Sequence, residues 1–310
     1  MRLYSNQEMI MFSNLNFEIE NINKLIRIFN KSLEEKINLF QAGQEEIEYF
    51  CLKYNFYKYI NFFLRDRDIK RELADKKIQI CKRKNIQFID FFSEKYPENL
   101  KKISNFPYVI YYRGILPTQN ELKNSFAVVG TRFPKNKDTE FIIREIVKIL
   151  KKYNFIEIGG LALGCDSYGH KFMLELGGVT GAILGQGLGT ETYPRENREL
   201  ERLILNKNGF IMSEIPPDEG INKKYLIMRN RLQSSLGMGI VVIESENTGG
   251  TIHTIKDSIK QNKKTFIWRG KNQLILSPAI VKKIKIIDKL EQFERELIQS
   301  TEQYINKKLF

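Results

Sequence analysis

The sequence contains little of what a covalently or metal-stabilised fold needs. Its 310 residues include 3 cysteines and 2 histidines. Cys51, Cys81 and Cys165 lie far apart and form no CxxC pair, which argues against a disulfide framework and a zinc site. His170 and His253 have no cysteine or carboxylate cluster at ligand spacing, so we expect neither a metal ion nor a cofactor. So few cysteines fit a reducing, cytoplasmic compartment.

Long apolar runs and several common enzyme motifs are absent as well. No stretch approaches the ~18 apolar residues of a membrane span. Three glutamates lie within the first 20 residues, where a secretory signal would have a basic start and an apolar core. We therefore expect a soluble protein without an export signal. The G-x-S-x-G and G-x-x-x-x-G-K-[ST] motifs do not occur, which argues against a hydrolase triad and a P-loop.

Negative charge is in short supply relative to positive charge. Lys and Arg total 50 against 37 Asp and Glu, which gives a formal net charge of +13. Such a charge favours polyanionic partners, either nucleic acid or an anionic membrane. The abundance of Lys, Ile and Asn along the whole chain offers a purely compositional explanation, but we favour a polyanionic partner.

Hydrophobic periodicity divides the chain into four parts. Residues 1–85 have apolar side chains at three- and four-residue spacing and predict a helical N-terminal domain. Residues 86–124 predict a connecting segment packed on the main domain, residues 125–270 a Rossmann-like binding domain, and residues 271–310 a C-terminal extension with a final helix. Interleaved aromatic and basic residues in 49–84 could stack bases and hold phosphates. A helical bundle with an aromatic core is the simpler interpretation, which we favour.

Strand-like and helix-like segments alternate in the main domain. Most of the apolar runs are separated by ten or more residues with helical character. This alternation is typical of a parallel sheet covered by helices on both faces. We therefore predict an α/β fold with a doubly wound, mostly parallel Rossmann-like sheet. The expected strands are 126–129, 155–158, 180–184, 210–212, 239–243 and 265–268, and the expected helices include 139–152, 167–176, 196–206 and 252–262.

The residues directly after these strands are the candidate ligand site, because open parallel sheets bind ligands outside the carboxyl ends of their strands. Most of these turns contain glycine, which lets the backbone approach a ligand, and the following helices present N–H groups to an anion. We therefore expect a phosphate-bearing ligand. The candidate binding residues are Gly130, Thr131, Arg132, Gly159, Gly160, Gly164, Asp166, Gly185, Gly187, Arg229, Asn230, Arg231, Gly249 and Gly250.

A few side chains among these allow a more specific expectation. Arg132 is the strongest single candidate, because a guanidinium at a strand end can bind a phosphate with two donors. Arg229 and Arg231 cannot share one face of a helix, so we expect one to meet the ligand and the other to brace the fold. Asp166 and His170 lie one helical turn apart and could form an acid/base pair. A helix cap with a hydrogen-bonded neighbour is the simpler interpretation.

A set of short motifs recurs in one order between residues 88 and 270. The set comprises Tyr96, Pro97 and Leu100; Pro107 to Gly114; Val129 to Arg132; Gly160 to Ala162 with Gly164, Asp166 and His170; Gly177 and Gly178; Leu184 to Leu188; Tyr193, Pro194, Asn197 and Leu200; Gly209 to Glu214; Arg229 to Arg231; and Gly249, Gly250 and Thr254. Together these motifs resemble the DNA processing protein A family, also called the Smf family.

The resemblance implies an extended Rossmann-like domain that binds single-stranded DNA and forms a homodimer. It further implies assistance in loading the RecA recombinase during natural transformation, without catalytic turnover and without a membrane partner. By position, Arg132 and the turn 160–166 would contact DNA phosphates. The chain departs from the family pattern at Leu163, where a polar or basic residue is common, and at Cys165, where isoleucine is usual.

A nucleotide-binding sensor or an enzyme is the alternative. The lysine decarboxylase-like phosphoribohydrolases, which are nucleotide-handling relatives of this fold, carry a Pro-Gly-Gly-x-Gly-Thr loop followed by a glutamate. Residues 249–251 with Thr254 and Asp257 resemble that loop loosely, since the proline and the second glycine spacing are missing. Release of the base from nucleoside monophosphates would distinguish this alternative from DNA binding.

Overall fold

The N-terminal part of the chain is a bundle of helices, as predicted. The computed structural model describes residues 2–18, 22–246, 249–269 and 277–306. The aromatic side chains Tyr4, Phe12, Phe29 and Phe40 are fully buried in the bundle and contact one another. The region therefore has the aromatic core that we favoured. Its helices are α1 (Asn6–Glu18), α2 (Ile22–Glu35), α3 (Gln44–Lys53), α4 (Ile60–Leu64) and α5 (Arg67–Arg83).

A single mixed sheet forms the centre of the molecule. Within the described ranges it has nine strands in the order β1-β2-β6-β5-β4-β3-β7-β8-β9. All neighbouring pairs from β6 to β9 are parallel, whereas β2 is antiparallel to both β1 and β6. The prediction of a doubly wound, mostly parallel sheet is confirmed. The strands are β1 (Gln87–Asp90), β2 (Val109–Gly114), β3 (Ser125–Val129), β4 (Ile156–Gly159), β5 (Thr180–Ile183), β6 (Phe210–Ser213), β7 (Gly239–Val242), β8 (Lys264–Trp268) and β9 (Lys285–Ile287).

Helices cover both faces of this sheet. Alternate residues of β3 point to opposite sides, so that Ala127 joins the core shared with the N-terminal helices while Phe126 and Val128 join a second core. Both faces of the central strands are buried, which explains their uninterrupted apolar sequences. No helix in the described part of the chain has the length and apolarity to cross a bilayer. The remaining helices are α6 (Glu98–Lys101), α7 (Gln119–Lys123), α8 (Thr139–Lys152), α9 (Cys165–Glu175), α10 (Arg198–Asn206), α11 (Lys223–Leu236), α12 (Thr251–Lys260), α13 (Pro278–Val281) and α14 (Leu290–Asn306).

The segments on either side of the main domain also contribute strands. Residues 86–124, which the sequence predicts as a connecting segment, supply β1 and β2 at one edge of the sheet. Residues 277–306 supply β9 at the other edge, together with α14, whose Phe293 packs against Phe126 and Phe266. The sheet is therefore wider than the six strands expected within the main domain.

The direction of the chain across the sheet reverses beside β3. From β3 the chain continues through β4 and β5 to β6, and then returns through α11 to β7 on the other side of β3 before reaching β8. A reversal of this kind leaves a crevice at the carboxyl ends of the two strands, because the loops that follow them run in opposite directions. The candidate site lies at this crevice.

Candidate functional site

A pocket of about 590 Å³ opens at the carboxyl ends of β3 and β7. Three loops and the helices α9, α11 and α12 form its walls, and the first turn of α12 points its positive dipole end into it. The pocket is thus both enclosed by backbone and electropositive at one end. Its lining residues are Val129, Gly130, Thr131, Arg132, Phe133, Ala162, Asp166, Lys223, Leu226, Ile227, Arg229, Asn230, Gln233, Ser245, Glu246, Gly249, Gly250, Thr251, His253 and Thr254.

The turn after β4 is shaped by contacts within itself. The carboxylate of Asp166 accepts a hydrogen bond from the backbone N–H of Gly160 at 2.7 Å. Leu161 has a positive φ of 57° although it is not glycine, and its carbonyl accepts a hydrogen bond from Asn197 at 2.9 Å. Strained backbone of this kind persists only where surrounding contacts hold it. Asp166 therefore fixes the turn and does not serve as a side-chain helix cap.

Arg229 of α11 lies directly over this turn. A Cβ on Gly160 would come within 1.4 Å of Nη1 of Arg229, so only glycine leaves room for the guanidinium. Nη1 donates to Oε1 of Gln233 at 2.7 Å and lies 3.9 Å from Oδ2 of Asp166. Burial and the nearby Arg132 lower the pKa of Arg229, and burial raises the pKa of Asp166 despite the two partners' attraction. The geometry holds an under-compensated cation at the pocket wall.

Arg132 and Phe133 form the outer rim of the pocket. Both side chains are exposed, and Phe133 is 71% accessible. Arg132 forms no ion pair with any carboxylate of the described residues, and its positive charge acts on Arg229. Arg132 and Arg229 thus both line the pocket, Arg229 with the Asp166 carboxylate at 3.9 Å and Arg132 with no ion pair among the described residues. Such an arrangement attracts an anionic ligand, above all a phosphate.

Glu244 connects the loop that follows β3, here called the rim loop, to the sheet. Its backbone carbonyl accepts from the N–H of Thr131 at 2.7 Å, and its carboxylate accepts from the N–H of Lys135 at 2.9 Å. The hydroxyl of Thr139 donates to the other carboxylate oxygen. Burial alone would raise the pKa of Glu244, but these hydrogen bonds lower it below its ordinary value. Glu244 is therefore an ionised anchor for residues 131–139.

The structure brings together eight of the fourteen candidate residues in the lining of this pocket. They come from the loops after β3 and β7 and from the helices α9 and α11, which are adjacent because of the strand order. Contacts between the loops fix their positions: Thr251 donates to the carbonyl of Gly130 at 3.1 Å, and Asn230 donates to that of Gly250 at 3.4 Å. The eight are Gly130, Thr131, Arg132, Asp166, Arg229, Asn230, Gly249 and Gly250.

The other six candidates lie behind the lining. Gly159 and Gly160 leave space for His170 and Arg229 respectively, and Gly164 leaves space for the carbonyl of Thr131. Gly185 packs closely on the backbone of α11, and Gly187 on the carbonyl of Pro216. These five glycines are therefore needed for close packing around the site. The sixth, Arg231, forms a buried ion pair with Glu214, whereas Arg229 lines the pocket.

His170 is part of a buried polar cluster and not of the pocket. Its Nδ1 lies 2.6 Å from the hydroxyl of Thr180 and 2.8 Å from a carboxylate oxygen of Glu157. Burial disfavours the imidazolium, but the nearby carboxylates of Glu157 and Asp166 together outweigh burial and raise the pKa of His170. The sequence-based pairing of His170 with Asp166 missed Glu157 as the main partner. Glu157 lies in an apolar strand, where nothing in the local sequence marks it as functional.

Sequence reasoning also missed several residues of the wall. Lys223, Leu226 and Gln233 come from α11 at helical spacing, and only the packing of that helix against the loops reveals which of its faces meets the pocket. Asp257, the carboxylate that the enzymatic alternative requires, does not line the pocket. It lies on α12 within electrostatic reach of Arg231.

Comparison with known proteins agrees with the fold and with the family resemblance. A family model described as DNA recombination-mediator protein A matches residues 87–291. Protein Smf of Synechocystis sp. is 33% identical over 186 residues, which is 59% of this chain and 46% of that protein. The chain thus spans about half the length of this curated relative.

Two solved structures share the architecture. The DNA processing protein A of Streptococcus pneumoniae superimposes with a TM-score of 0.69 at 22% identity, covering 93% of this chain and 96% of its own. The Helicobacter pylori protein, whose structure concerns its single-stranded DNA binding mode, gives a TM-score of 0.58 at 21% identity, covering 70% of this chain and 98% of its own. At identities this low, the structural similarity establishes that this chain shares the fold of the two proteins.

Proposed function

The chain belongs to the DNA recombination-mediator protein A family, and we propose that it binds single-stranded DNA in the pocket between the loops after β3 and β7. The observation that supports the proposal is the pair of arginines that line the pocket: Arg132 has no ion pair among the described residues, and Arg229 has the Asp166 carboxylate at 3.9 Å. A phosphodiester chain supplies the missing anions, and bases can stack on the exposed ring of Phe133.

The fourteen candidate residues take different parts in this proposal. Arg132, Arg229 and Asn230 contact the sugar-phosphate backbone, while Gly249 and Gly250 let it approach the start of α12. Gly130, Thr131 and Asp166 shape the pocket wall. The remaining six keep the loops and α11 in position. They are Gly159, Gly160, Gly164, Gly185, Gly187 and Arg231.

A wider role follows from the family. We propose a non-catalytic, cytoplasmic protein that acts as a homodimer and assists the loading of RecA recombinase on single-stranded DNA taken up in natural transformation. The description of the family as a recombination mediator supports this role. In this proposal residues 125–270 carry the DNA site. The helices of residues 1–85, the connecting segment of residues 86–124 and the extension of residues 271–310 support that domain.

The substitution Arg132→Ala tests the proposal directly. We expect about tenfold weaker binding of fluorescein-labelled oligothymidylate, because one charge-assisted contact to phosphate is lost. The melting temperature should stay near that of the wild type, since Arg132 has no ion pair among the described residues. Fluorescence anisotropy at fixed salt gives the affinity.

Arg83→Ala is the matched control. Arg83 is exposed at the end of α5 and lies outside the lining of the pocket between β3 and β7. Its replacement by alanine removes the same charge. Equal losses in the two variants would show that net charge alone drives binding. Undiminished affinity of Arg132→Ala, or tight binding of AMP or ATP with no oligonucleotide binding at low salt, would refute the proposed site.

A further inference from the structure

A second pocket lies at the amino ends of the central strands of the sheet. It has a volume of about 350 Å³, within the range of roughly 300–1,000 Å³ that is usual for small-molecule sites. Among the described residues its lining includes no aspartate or glutamate and is rich in lysine and side-chain amides. The lining residues are Asn99, Lys102, Ile103, Lys123, Gly237, Met238, Gln261, Asn262, Lys263, Lys264 and Ser300.

The position of this pocket separates it from the proposed DNA site. Lys123, Met238 and Lys263 come shortly before β3, β7 and β8 respectively, so the pocket faces the amino ends of the same strands. Those strands have four or five residues each, which places roughly 15 Å of sheet between the two pockets. A mononucleotide bound at one cannot reach the other.

Lys263 is the central cation of this lysine pocket. Its amine is largely withdrawn from solvent and donates to the backbone carbonyl of Gly237 at 2.6 Å. It forms no ion pair with any described carboxylate. Burial and the neighbouring Lys102 lower the pKa of Lys263 to about 8. The protein thus holds a poorly solvated ammonium beside further lysines, an arrangement that an anion would stabilise.

The other polar groups of the pocket select for an anion over a neutral ligand. The amide nitrogen of Asn99 is engaged by the carbonyl of Leu236, and that of Gln261 by the carbonyl of Arg231. The hydroxyl of Ser300 donates to the carbonyl of Glu296. The donors that the proposal uses are the ammonium groups of Lys102, Lys123 and Lys263, which bind phosphate as point charges.

We propose that the lysine pocket is a second anion site that binds a phosphate group, independently of the pocket between β3 and β7. The phosphate can belong to a DNA strand or to a free phosphate or mononucleotide, since the lysines would recognise all of these through the same oxygens. Oligonucleotide binding by lysine variants distinguishes the two sources.

Competitive acetylation of the full-length wild-type chain gives a readout at the site itself. The reactivity of each lysine at pH 8 is measured by mass spectrometry with and without inorganic phosphate. We expect phosphate to reduce the acetylation of Lys263 several-fold and to leave the exposed Lys207 unchanged. Absence of protection at any phosphate concentration and with oligothymidylate would overturn the proposal.

Variants provide the second measurement. Lys102→Gln combined with Lys123→Gln should weaken phosphate binding, measured by calorimetry in the Arg132→Ala background, at least tenfold. The control Lys95→Gln with Lys207→Gln removes the same charge from exposed positions outside both pockets and should have no effect. Equal affinity in the two double variants would overturn the proposal. These variants change exposed or half-buried side chains, so the test does not depend on folding of a Lys263 variant.

Oligonucleotide binding identifies the source of the phosphate. If the pocket takes DNA, Lys102→Gln with Lys123→Gln weakens the binding of a long oligothymidylate several-fold while that of a short one is unchanged. If it takes free phosphate or mononucleotide, binding of both oligonucleotides is unchanged and protection of Lys263 is produced by phosphate or AMP alone. Protection of Lys263 that persists in Arg132→Ala shows that this site stands even where the proposed DNA site fails.

Discussion

Two exposed phenylalanines near the start of α8 differ in what they face. Phe133 lines the pocket and is 71% accessible, whereas Phe141 is 61% accessible on α8 and lies outside the pocket lining. Stacking of a base on an aromatic ring contributes about 1–3 kcal/mol. We therefore expect Phe133→Ala to weaken oligothymidylate binding by about fivefold or more, as measured by fluorescence anisotropy.

Phe141→Ala is the control for this prediction. It removes a ring of similar exposure and leaves the pocket intact, so its affinity should match the wild type. A similar loss in both variants would point to a general effect of surface aromatics, and an unaffected Phe133→Ala would remove the ring from the binding surface.

Titration of the Lys263 amine makes the stability of the protein depend on pH in the alkaline range. Its pKa is lowered from an ordinary 10.5 to about 8, so the unfolded state binds more protons than the folded state between these values. Stability from this group therefore rises as pH increases from about 8 to 10.5, by roughly 3 kcal/mol in total. Below pH 8 both states carry the charge, and the full cost of burying it remains.

The substitution Lys263→Met isolates this effect from the titration of other groups. In phosphate-free buffer, the variant should be more stable than the wild type near pH 7, because methionine needs no hydration. This advantage should shrink by roughly 2–3 kcal/mol by pH 10. Urea unfolding at several pH values measures it, with Lys207→Met as the exposed control. A difference that does not vary with pH would show that the amine titrates normally.

Arginine roles at the site were only partly predictable from the sequence. Arg132 could be identified because it follows a strand directly, and the ends of parallel strands converge. The division between Arg229 and Arg231 could be expected from helical spacing, but the assignment required Glu214, which lies 17 residues away from Arg231 in the sequence. Phe133 carries no local signal, since exposed aromatics are common on protein surfaces.

The close contact between the turn after β4 and the rim loop depends on Gly164. Gly164 has a φ of +72°, and a Cβ there would lie 2.5 Å from the carbonyl oxygen of Thr131. That oxygen accepts the N–H of Cys165 at 3.2 Å, which links the start of α9 to the rim. Gly164→Ala should therefore displace the rim, lower stability by more than ~2 kcal/mol and weaken DNA binding.

Gly177 provides the matched control at the other end of α9. Its φ is +64°, but a Cβ there would meet nothing within 4 Å. Gly177→Ala should cost about 1 kcal/mol from backbone strain alone and leave binding unchanged. Urea unfolding and anisotropy compare the two variants. Equal losses of stability in the two variants would show that the clash between the new Cβ at position 164 and the carbonyl of Thr131 costs nothing.

Elements in the centre of the sheet could be predicted closely, and elements at its edges could not. The helix predicted at 139–152 has those bounds as α8, because its apolar residues repeat at helical spacing and are buried. Strands β3 to β8 are buried on both faces and read as apolar runs. By contrast β1 and β9 are short and partly exposed, so neither alternation nor apolarity distinguishes them from loops.

At the scale of the whole molecule, the topology explains why distant motifs form one site. The loops after β3 and β7 are separated by more than a hundred residues, yet their strands are hydrogen-bonded neighbours. The sequence indicated that the glycine-bearing loops share one edge of the sheet. It could not indicate that the loop after β5 would be buried under α11 and the 216–217 segment, because that depends on how α11 returns across the sheet.

The net charge of +13 and the few cations of the pocket lead to different salt dependences. The Lys and Arg side chains in the lining are Arg132, Lys223 and Arg229. Each phosphate neutralised on single-stranded nucleic acid contributes about −0.7 to the slope of log affinity against log salt. A short oligothymidylate that contacts these three residues alone should therefore give a slope near −2. A diffuse basic surface, which neutralises more phosphates, would give a steeper, more negative slope.

Removal of one contact should change this slope by a defined step. Arg132→Ala should bring it to about −1.4, because two phosphate contacts remain, whereas Arg83→Ala should leave it unchanged. Anisotropy titrations at four or more salt concentrations measure the slopes. A steep slope that is equal in all three proteins would mean that DNA follows the general positive charge of the surface, whereas a step confined to Arg132→Ala would locate the DNA backbone at the carboxyl ends of β3 and β7.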